Sequence, residues 1–398
     1  MEPREQGLKR LAFVSGLQLF PAQSGGQLRS TGLAKALAHH GFEVEIYSLI
    51  GRSAEYRARK PSELVVHGPR LTEYIDRRPA KAALQFASYR VDIQPIWISE
   101  YLRFRVPLPL RERLDRADAV IADFPFLARV FDKTKKPKVL NTHNIEQHLA
   151  PNEGVKALVR TRVKQLEDEA ARAADVVACC AQGDADYFRS AGARQVLMVP
   201  NGIDVTRFEP ARAQRAAMRR ELGVKDDEAL FLFPASKFGP NKEAYDWLVH
   251  FLEDHAGEVG KRKVKFCVVG SVVDRPEEHG PLKATGRVPE VEPYFAAADF
   301  ALNPMFSGAG TNVKMADFIA ARLPILTTGF GARGFELQKG HSALFFEPET
   351  FLACLDEALA TPAARREALA DSAYQANAKA IDMNHCVQPL VDWLNARA

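Results

Sequence analysis

Short β-rich apolar runs alternate along this chain with stretches of helical period. Leu11-Ala-Phe-Val14 has the length and composition of a buried strand, and residues 27–40 follow as a helix that Gly41 can close in a left-handed conformation. Glu43–Ser48, residues 118–122 and Lys138–Asn141 read as further strands. A long charged helix spans Val155–Ala173, and strands at 175–178 and 195–199 complete the first half.

The turn signal Pro200-Asn-Gly-Ile-Asp204 interrupts the pattern, which then starts again. Strands are expected at 229–233, 265–269, 300–303 and 324–327, and helices at 242–252 and 312–321. Strands alternating with helices argue for parallel sheets covered on both faces. The expected fold class is therefore α/β, with two doubly wound Rossmann-like domains, residues 1–200 and 201–380, facing each other across a cleft. Ligands of such sheets sit beyond the carboxyl ends of the strands, so candidate chemistry is sought there.

Composition narrows the class. Of 398 residues, 46% are hydrophobic and 26% charged, which excludes a disordered or fibrous chain. No run is apolar enough to span a bilayer, and residues 11–28, which imitate a leader, are broken by Ser15, Gly16 and Gln18 and preceded by Glu2 and Glu5. Five cysteines without metal-ligand spacing read as free thiols of a reducing compartment, so a cytoplasmic location is expected. Net charge is uneven. Residues 1–200 hold 31 Lys and Arg against 23 Asp and Glu, and the remainder 23 against 27. A basic first half suits an anionic acceptor or lipid headgroups, with Arg103-Phe-Arg-Val-Pro and Arg111, Arg113 and Arg116 as the candidate surface, possible at the inner membrane face. An ordinary solvated surface is the competing reading.

The richest stretch runs from Asn303 to Pro324. A strand end is followed by Ser307-Gly-Ala-Gly310 and a helix beginning near Thr311. Gly308, Ala309, Gly310, Thr311 and Asn312 would offer backbone N–H groups and the positive end of a helix dipole to an anion. Lys314 lies in the first turn, within reach of a diphosphate, and Asp317 in the next, where it can accept hydrogen bonds from ribose. After the first strand of the second half, Ser236, Lys237, Asn241 and Lys242 supply donors for phosphate oxygens, although Lys242 reads equally as a solvated first-turn residue. In Thr285-Gly-Arg-Val-Pro289, Arg287 and Val288 place exposed backbone where a nucleobase edge can be read.

In the first half, Gly25, Gly26 and Gln27 join strand to helix. The spacing is not that of a dinucleotide fingerprint, and no Walker-type lysine follows. Asn141-Thr-His-Asn-Ile-Glu146 brings His143, Asn144 and Glu146 to a strand's carboxyl end. No ligand cluster of metal-binding spacing accompanies them, so no metal is expected.

Taken together, these motifs resemble the GT-B glycosyltransferases, and specifically the retaining family 4 (group 1), in a branch linked to bacterial polysaccharide assembly. The carriers are Ser24-Gly-Gly-Gln27, Thr142-His-Asn-Ile-Glu146, Val199-Pro-Asn-Gly-Ile-Asp204, Pro240-Asn241 and the run Gly308 to Ile325, in the family's order across nearly the whole chain. The resemblance implies a nucleotide-sugar donor held by the second domain, and a glycan, lipid-linked or small-molecule acceptor held by the first. It implies a final segment, residues 381–398, crossing back to the first domain, and no cofactor, metal or nucleic acid. His143, Lys237 and Lys314 take the catalytic positions. The family often has two glutamates eight positions apart; here Ala309 and Asp317 occupy them. A sugar-nucleotide epimerase of the same fold, or a non-catalytic sugar-nucleotide-binding subunit, are the alternative functions.

Overall fold

In the computed structural model, residues 9–22, 25–78, 94–148, 155–308 and 313–397 are described. The chain divides into two compact units, residues 1–202 with 383–398, and residues 203–382.

The first unit is built on an eight-stranded sheet. Its strands are β1 (Arg10–Ser15), β2 (Glu43–Ser48), β3 (Glu63–Gly68), β4 (Leu71–Ile75), β5 (Ala119–Asp123), β6 (Lys138–Asn141), β7 (Val176–Cys179) and β8 (Val196–Met198). The order is β3-β4-β2-β1-β5-β6-β7-β8, and every pair is parallel except β3 with β4. Alternation along β1 explains how one strand serves two layers. Leu11 and Phe13 point into one buried layer, Ala12 and Val14 into the other. The helix Gly25–His39 covers the first layer with Leu33 and Leu37.

The second unit repeats the plan. Its seven strands are β9 (Ala229–Pro234), β10 (Val264–Val269), β11 (Glu277–His279), β12 (Leu282–Ala284), β13 (Phe300–Asn303), β14 (Ile325–Thr327) and β15 (Leu344–Phe345). The order is β11-β12-β10-β9-β13-β14-β15, with β11 alone antiparallel to its neighbour. Phe231 and Phe233 enter one layer, Leu230 and Leu232 the other. Both units are thus doubly wound α/β sheets, as the apolar periodicity predicts. Strand order reverses between β1 and β5 in one and between β9 and β13 in the other. The strands that periodicity does not reveal, β3, β4, β11, β12 and β15, all lie toward the sheet margins, where polar and exposed positions break the apolar run.

The chain passes between the units at 202–203 and 382–383. Within the second unit these two crossings lie side by side: Ile203 bridges Asp382, and the Ile203 N–H donates to the Ile381 carbonyl at 2.7 Å. After the second crossing the helix Gln388–Asn395 returns to the first unit, where Leu390, Val391, Trp393 and Leu394 pack with Leu11, Phe13 and Val44. The Trp393 indole N–H donates to Gln195 Oε1 at 3.0 Å, beside β8. Trp393→Ala should therefore destabilise the first unit by about 3–5 kcal/mol, the range for truncating a buried aromatic. Urea unfolding of the whole chain followed by circular dichroism checks this; an unchanged midpoint would detach the segment from that core.

Candidate functional site

Candidate side chains gather at the carboxyl ends of the strands beside each reversal. In the first unit the centre is Asp123, the last residue of β5 and fully buried. Its Oδ1 lies 2.8 Å from His143 Nε2 and accepts from Asn141 Nδ2 at 2.8 Å; its Oδ2 accepts from Ser30 Oγ at 2.8 Å and Ser15 Oγ at 3.3 Å. These four partners come from β1, the following helix, β6 and the loop after it, so one carboxylate ties the whole switch point together. Since a carboxylate accepts only, the His143 proton belongs on Nε2, which leaves Nδ1 as an acceptor.

Phe124 stacks on one face of that imidazole, centroids 3.9 Å apart and planes within 5°. Its backbone takes φ 95° and ψ 147°, a region that side chains other than glycine rarely enter. The strained residue follows Asp123 directly, so carboxylate and aromatic ring are placed by one bend. A Cβ on Gly26 would meet His143 Nδ1 at 3.4 Å and Phe124 Cζ at 3.6 Å, which explains the small residue there.

Arg29 closes the network from the helix Gly25–His39. It donates to the Thr142 and Val199 carbonyls and to Asn141 Oδ1 and Asn201 Oδ1, all at 2.8–3.0 Å. Gln27 donates to the Gln18 carbonyl at 2.7 Å, and Asn144 is exposed. Glu146 is partly buried and its Oε1 finds no partner among the described residues. Burial first, then neighbouring Glu167, raises the Glu146 carboxyl to about 7. Glu167 itself receives the N–H groups of Glu146 and Gln147 at 2.7 and 3.1 Å, and burial raises it to about 7.

In the second unit the centre is Lys314, in the first turn of the helix Val313–Ala320. Its Nζ donates to Asn241 Oδ1 at 2.7 Å and lies 4.6 Å from the Phe233 ring centroid and 3.4 Å from Met305 Sδ. Asn241 is in turn oriented by its own Nδ2, which donates to Ser236 O and Oγ at 3.1 and 3.0 Å. No carboxylate pairs with Lys314 among the described residues. Burial alone lowers its ammonium to about 7.

The loop after β14 backs this site. Asn303 Nδ2 donates to the Gly331 carbonyl at 3.0 Å, the Gly331 N–H donates to Thr328 Oγ1 at 2.9 Å, and Thr328 Oγ1 donates to the Met305 carbonyl. A Cβ on Gly331 would lie 2.6 Å from both Asn303 Nδ2 and Thr327 Oγ1, so only glycine fits. Gly308 is exposed with φ 136°, and Ser307 donates to Glu243.

Ala309, Gly310, Thr311 and Asn312 lie outside the described residues, as does Ser24. Lys237 is exposed and pairs with exposed Asp274 at 3.1 Å, and its Nζ makes no contact with Lys314 or Asn241 among the described residues. Lys242 pairs with Asp246 one turn along its own helix, which is the solvated-surface alternative. Arg287 is exposed, while Val288 packs against the core below. Asp317 faces Arg207, with Arg207 Nη2 3.4 Å from Asp317 Oδ2. Sequence reasoning missed Asp123, Ser30, Arg29 and Arg207. An isolated Asp after an apolar run was the one available signal for Asp123. Among the described residues, no group of three or more His, Cys, Asp or Glu could hold a metal ion, and no helix is long and apolar enough to cross a membrane.

Two doubly wound units, each with its polar cluster at a strand-order reversal, define the GT-B class of α/β proteins. The overall chain path is similar to that of sucrose-phosphate synthase from Thermosynechococcus elongatus, at 13% identity, TM-score 0.61, covering 98% of this chain and 100% of that one. It is also similar to α,α-trehalose 6-phosphate synthase from Burkholderia multivorans, at 14% identity, TM-score 0.61, covering 98% and 97%. A third similar structure is the trehalose-6-phosphate enzyme of E. coli bound with UDP-2-fluoro glucose, at 14% identity, TM-score 0.59, covering 97% and 99%. No curated protein matches the chain in sequence. Residues 24–207 match the Glycosyltransferase Family 4 model and residues 229–361 the Glycosyl transferases group 1 model. The chain belongs to this family: it is a retaining family 4 glycosyltransferase that uses a nucleotide sugar.

The Asp123 network makes a tautomer prediction. Nitrogen-15 NMR of histidine-labelled protein should show neutral His143 as the Nε2–H form, and Asp123→Asn should admit the Nδ1–H form. A dominant Nδ1–H signal in the unaltered protein would contradict the assigned bond.

Proposed function

We propose that the 203–382 unit binds the donor's nucleoside diphosphate around Lys314, and that the chain transfers a hexose-type sugar from it to an acceptor held by the 1–202 unit. The carrying observation is a desolvated ammonium with a neutral amide, a thioether and an aromatic face around it but, among the described residues, no carboxylate. A buried cation without a counter-anion is costly to the folded state, and an incoming diphosphate supplies the missing charge. In the reaction, the bond from the anomeric carbon to the diphosphate oxygen breaks and one to the acceptor oxygen forms on the same face. Lys314, with the N–H groups of Gly310 and Thr311, stabilises the negative charge on the leaving group. The acceptor proton passes to the departing phosphate, so neither a metal nor a strong protein base is required. His143, held by Asp123 and Phe124, contacts donor sugar or acceptor through its free Nδ1. Asn241 and Ser236 position Lys314, Asp317 receives ribose, and the backbone at Arg287 and Val288 reads the base. Product analysis with labelled donor separates transfer from epimerisation.

Lys314 gives the test. At pH 8 the free ammonium, lowered to about 7, is mostly neutral. Beside a diphosphate it recovers its charge, so binding takes up close to one proton. Calorimetry with uridine, guanosine and adenosine diphosphates in buffers of different ionisation enthalpy should detect this uptake, and Lys314→Met should abolish it along with most of the affinity. Full affinity in Lys314→Met would place the phosphates elsewhere. The same group makes ligand-free stability rise with pH. The unfolded chain keeps this proton up to near 10.5 and the folded one only to about 7, so unfolding binds a proton between those values. Lys314→Met should remove that slope.

The basic face of the first unit supports contact with an anionic lipid surface, consistent with a lipid-linked acceptor. Phe104, which ends the helix Gln94–Phe104, is 82% exposed and Leu108, which begins the next, 65%, with exposed Arg105 and Arg111 around them and Arg103 paired with Glu100 at 3.5 Å. Lys133 joins the patch by donating to the Arg103 carbonyl at 3.4 Å. Two of the expected basic residues do not belong to it: Arg113 is buried against Tyr74, and Arg116 is paired with Glu45. Each exposed cation near such a surface contributes about 1 kcal/mol. The protein should sediment with phosphatidylserine-containing vesicles at low salt, and Phe104→Ser with Leu108→Ser should release it. Absence of sedimentation would remove the membrane from the reading.

A further inference from the structure

Asp317 is enclosed in the second turn of the helix Val313–Ala320, and its two carboxylate oxygens have different surroundings. Oδ2 faces Arg207 Nη2 at 3.4 Å; Oδ1 is buried with no hydrogen-bond partner among the described residues. Arg207 also faces a second carboxylate, with its Nε 3.4 Å from Glu292 Oε1. Neither approach is a close, aligned hydrogen bond, and the Arg207 Nε hydrogen goes unused. Glu292 is itself fixed, since its Oε2 accepts the Val291 N–H at 3.1 Å. The Arg207 guanidinium also lies 4.6 Å from the Phe208 ring centroid. One cation thus stands between two carboxylates drawn from three elements: the stretch that follows the Pro200–Asp204 turn, the start of the helix Glu292–Ala297, and the Lys314 helix.

We propose that Arg207 and Glu292 together set the charge on Asp317, making Arg207 a positioning residue that keeps Asp317 ionised, so that its unpartnered Oδ1 is the acceptor for the ribose hydroxyls of the donor nucleotide. This rests on the donor assignment made above. A protonated Asp317 would offer that oxygen pair one acceptor fewer and introduce an unwanted donor, whereas the carboxylate accepts from both hydroxyls. Burial raises the Asp317 carboxyl to about 6, Arg207 opposes the rise, and Glu292 adds to it. Other charged groups nearby are engaged elsewhere. Lys314, three residues earlier, is bonded to Asn241, and from the packed helix Ala363–Ile381 Asp371 is paired with Arg322, two residues past the end of the Lys314 helix. Nucleotide binding through ribose is accordingly favoured above about pH 6 and lost as pH falls through it, and the two neighbours move that midpoint in opposite directions.

The test is calorimetry from pH 5 to 8, using whichever of uridine, guanosine or adenosine diphosphate binds and its 2′,3′-dideoxy counterpart. The diphosphate's own titration is common to both ligands, so the ratio of their dissociation constants isolates the ribose contact. For the unaltered protein the advantage of the ribose form should fall by up to about tenfold per pH unit below the midpoint, as expected for one proton. Arg207→Gln should move the midpoint up, Arg207→Lys should restore it in part, and Glu292→Gln should move it down. If Arg207→Gln lowers the melting temperature but leaves the midpoint in place, Arg207 only ties its loop to the helix and the proposal fails. Should Arg207→Gln not fold, Glu292→Gln decides by the same criterion. A pH-independent ratio with intact nucleotide binding overturns this inference alone. No binding of any nucleoside diphosphate overturns the donor assignment as well.

Discussion

Where strand order reverses in a parallel sheet, the connections on the two sides leave toward opposite faces, and the backbone cannot fill the gap between them. That constraint organises both units. In the first, the gap between β1 and β5 is spanned by side chains converging on Asp123. In the second, the gap between β9 and β13 receives Lys314, reached from one side by Asn241 and backed by Phe233 and Met305.

The two solutions differ electrically. Asp123 collects hydrogen-bond donors from four segments and is thereby satisfied within the protein, so its network holds a geometry. Lys314 has one neutral amide oxygen and, among the described residues, no anion, so charge on its ammonium is uncompensated and easily lost. The contrast fits the proposed division of labour: a rigid cradle for an imidazole in one unit, and an electrostatic demand for a diphosphate in the other. The bend at Phe124 belongs to the first solution. Holding a large aromatic residue at positive φ is unfavourable, and the buried hydrogen bonds of the adjacent Asp123 over-determine that bend.

Membership of family 4 leaves the acceptor and the sugar open, and the residues that bear on them are unevenly distributed. On the proposed donor assignment, the family's two acidic positions fall on Ala309, which has no carboxylate to offer the sugar, and on Asp317, which keeps one for the nucleotide. Nucleotide recognition can therefore stay close to the family's while sugar recognition relies on other groups. At the described end of that loop Arg333, partly buried, lies beside Gly308, and the turn around Gly331 is tied to Asn303 and Thr328.

Sequence alone determined the α/β class, most of the interior strands and the helices beside them, because strands buried on both faces must be continuously apolar. It did not show β3 or β11, since Glu63-Leu-Val-Val-His-Gly68 and Glu277-Glu-His279 lie at sheet edges, where exposure removes the signal. It named Lys314, Asn241, Ser236, His143 and Asp317 because glycine-rich turns, amides and charged residues after strands are local features. What it could not assign was pairing. Asp123 and His143 are twenty residues apart, Lys314 and Asn241 seventy-three, and Arg207 and Asp317 farther still. Lys237 and Lys242 look like Lys314 in one dimension, yet each is exposed beside a carboxylate, while Lys314 is desolvated without one. That difference is a matter of burial and counter-charge, quantities that exist only once distant segments have packed.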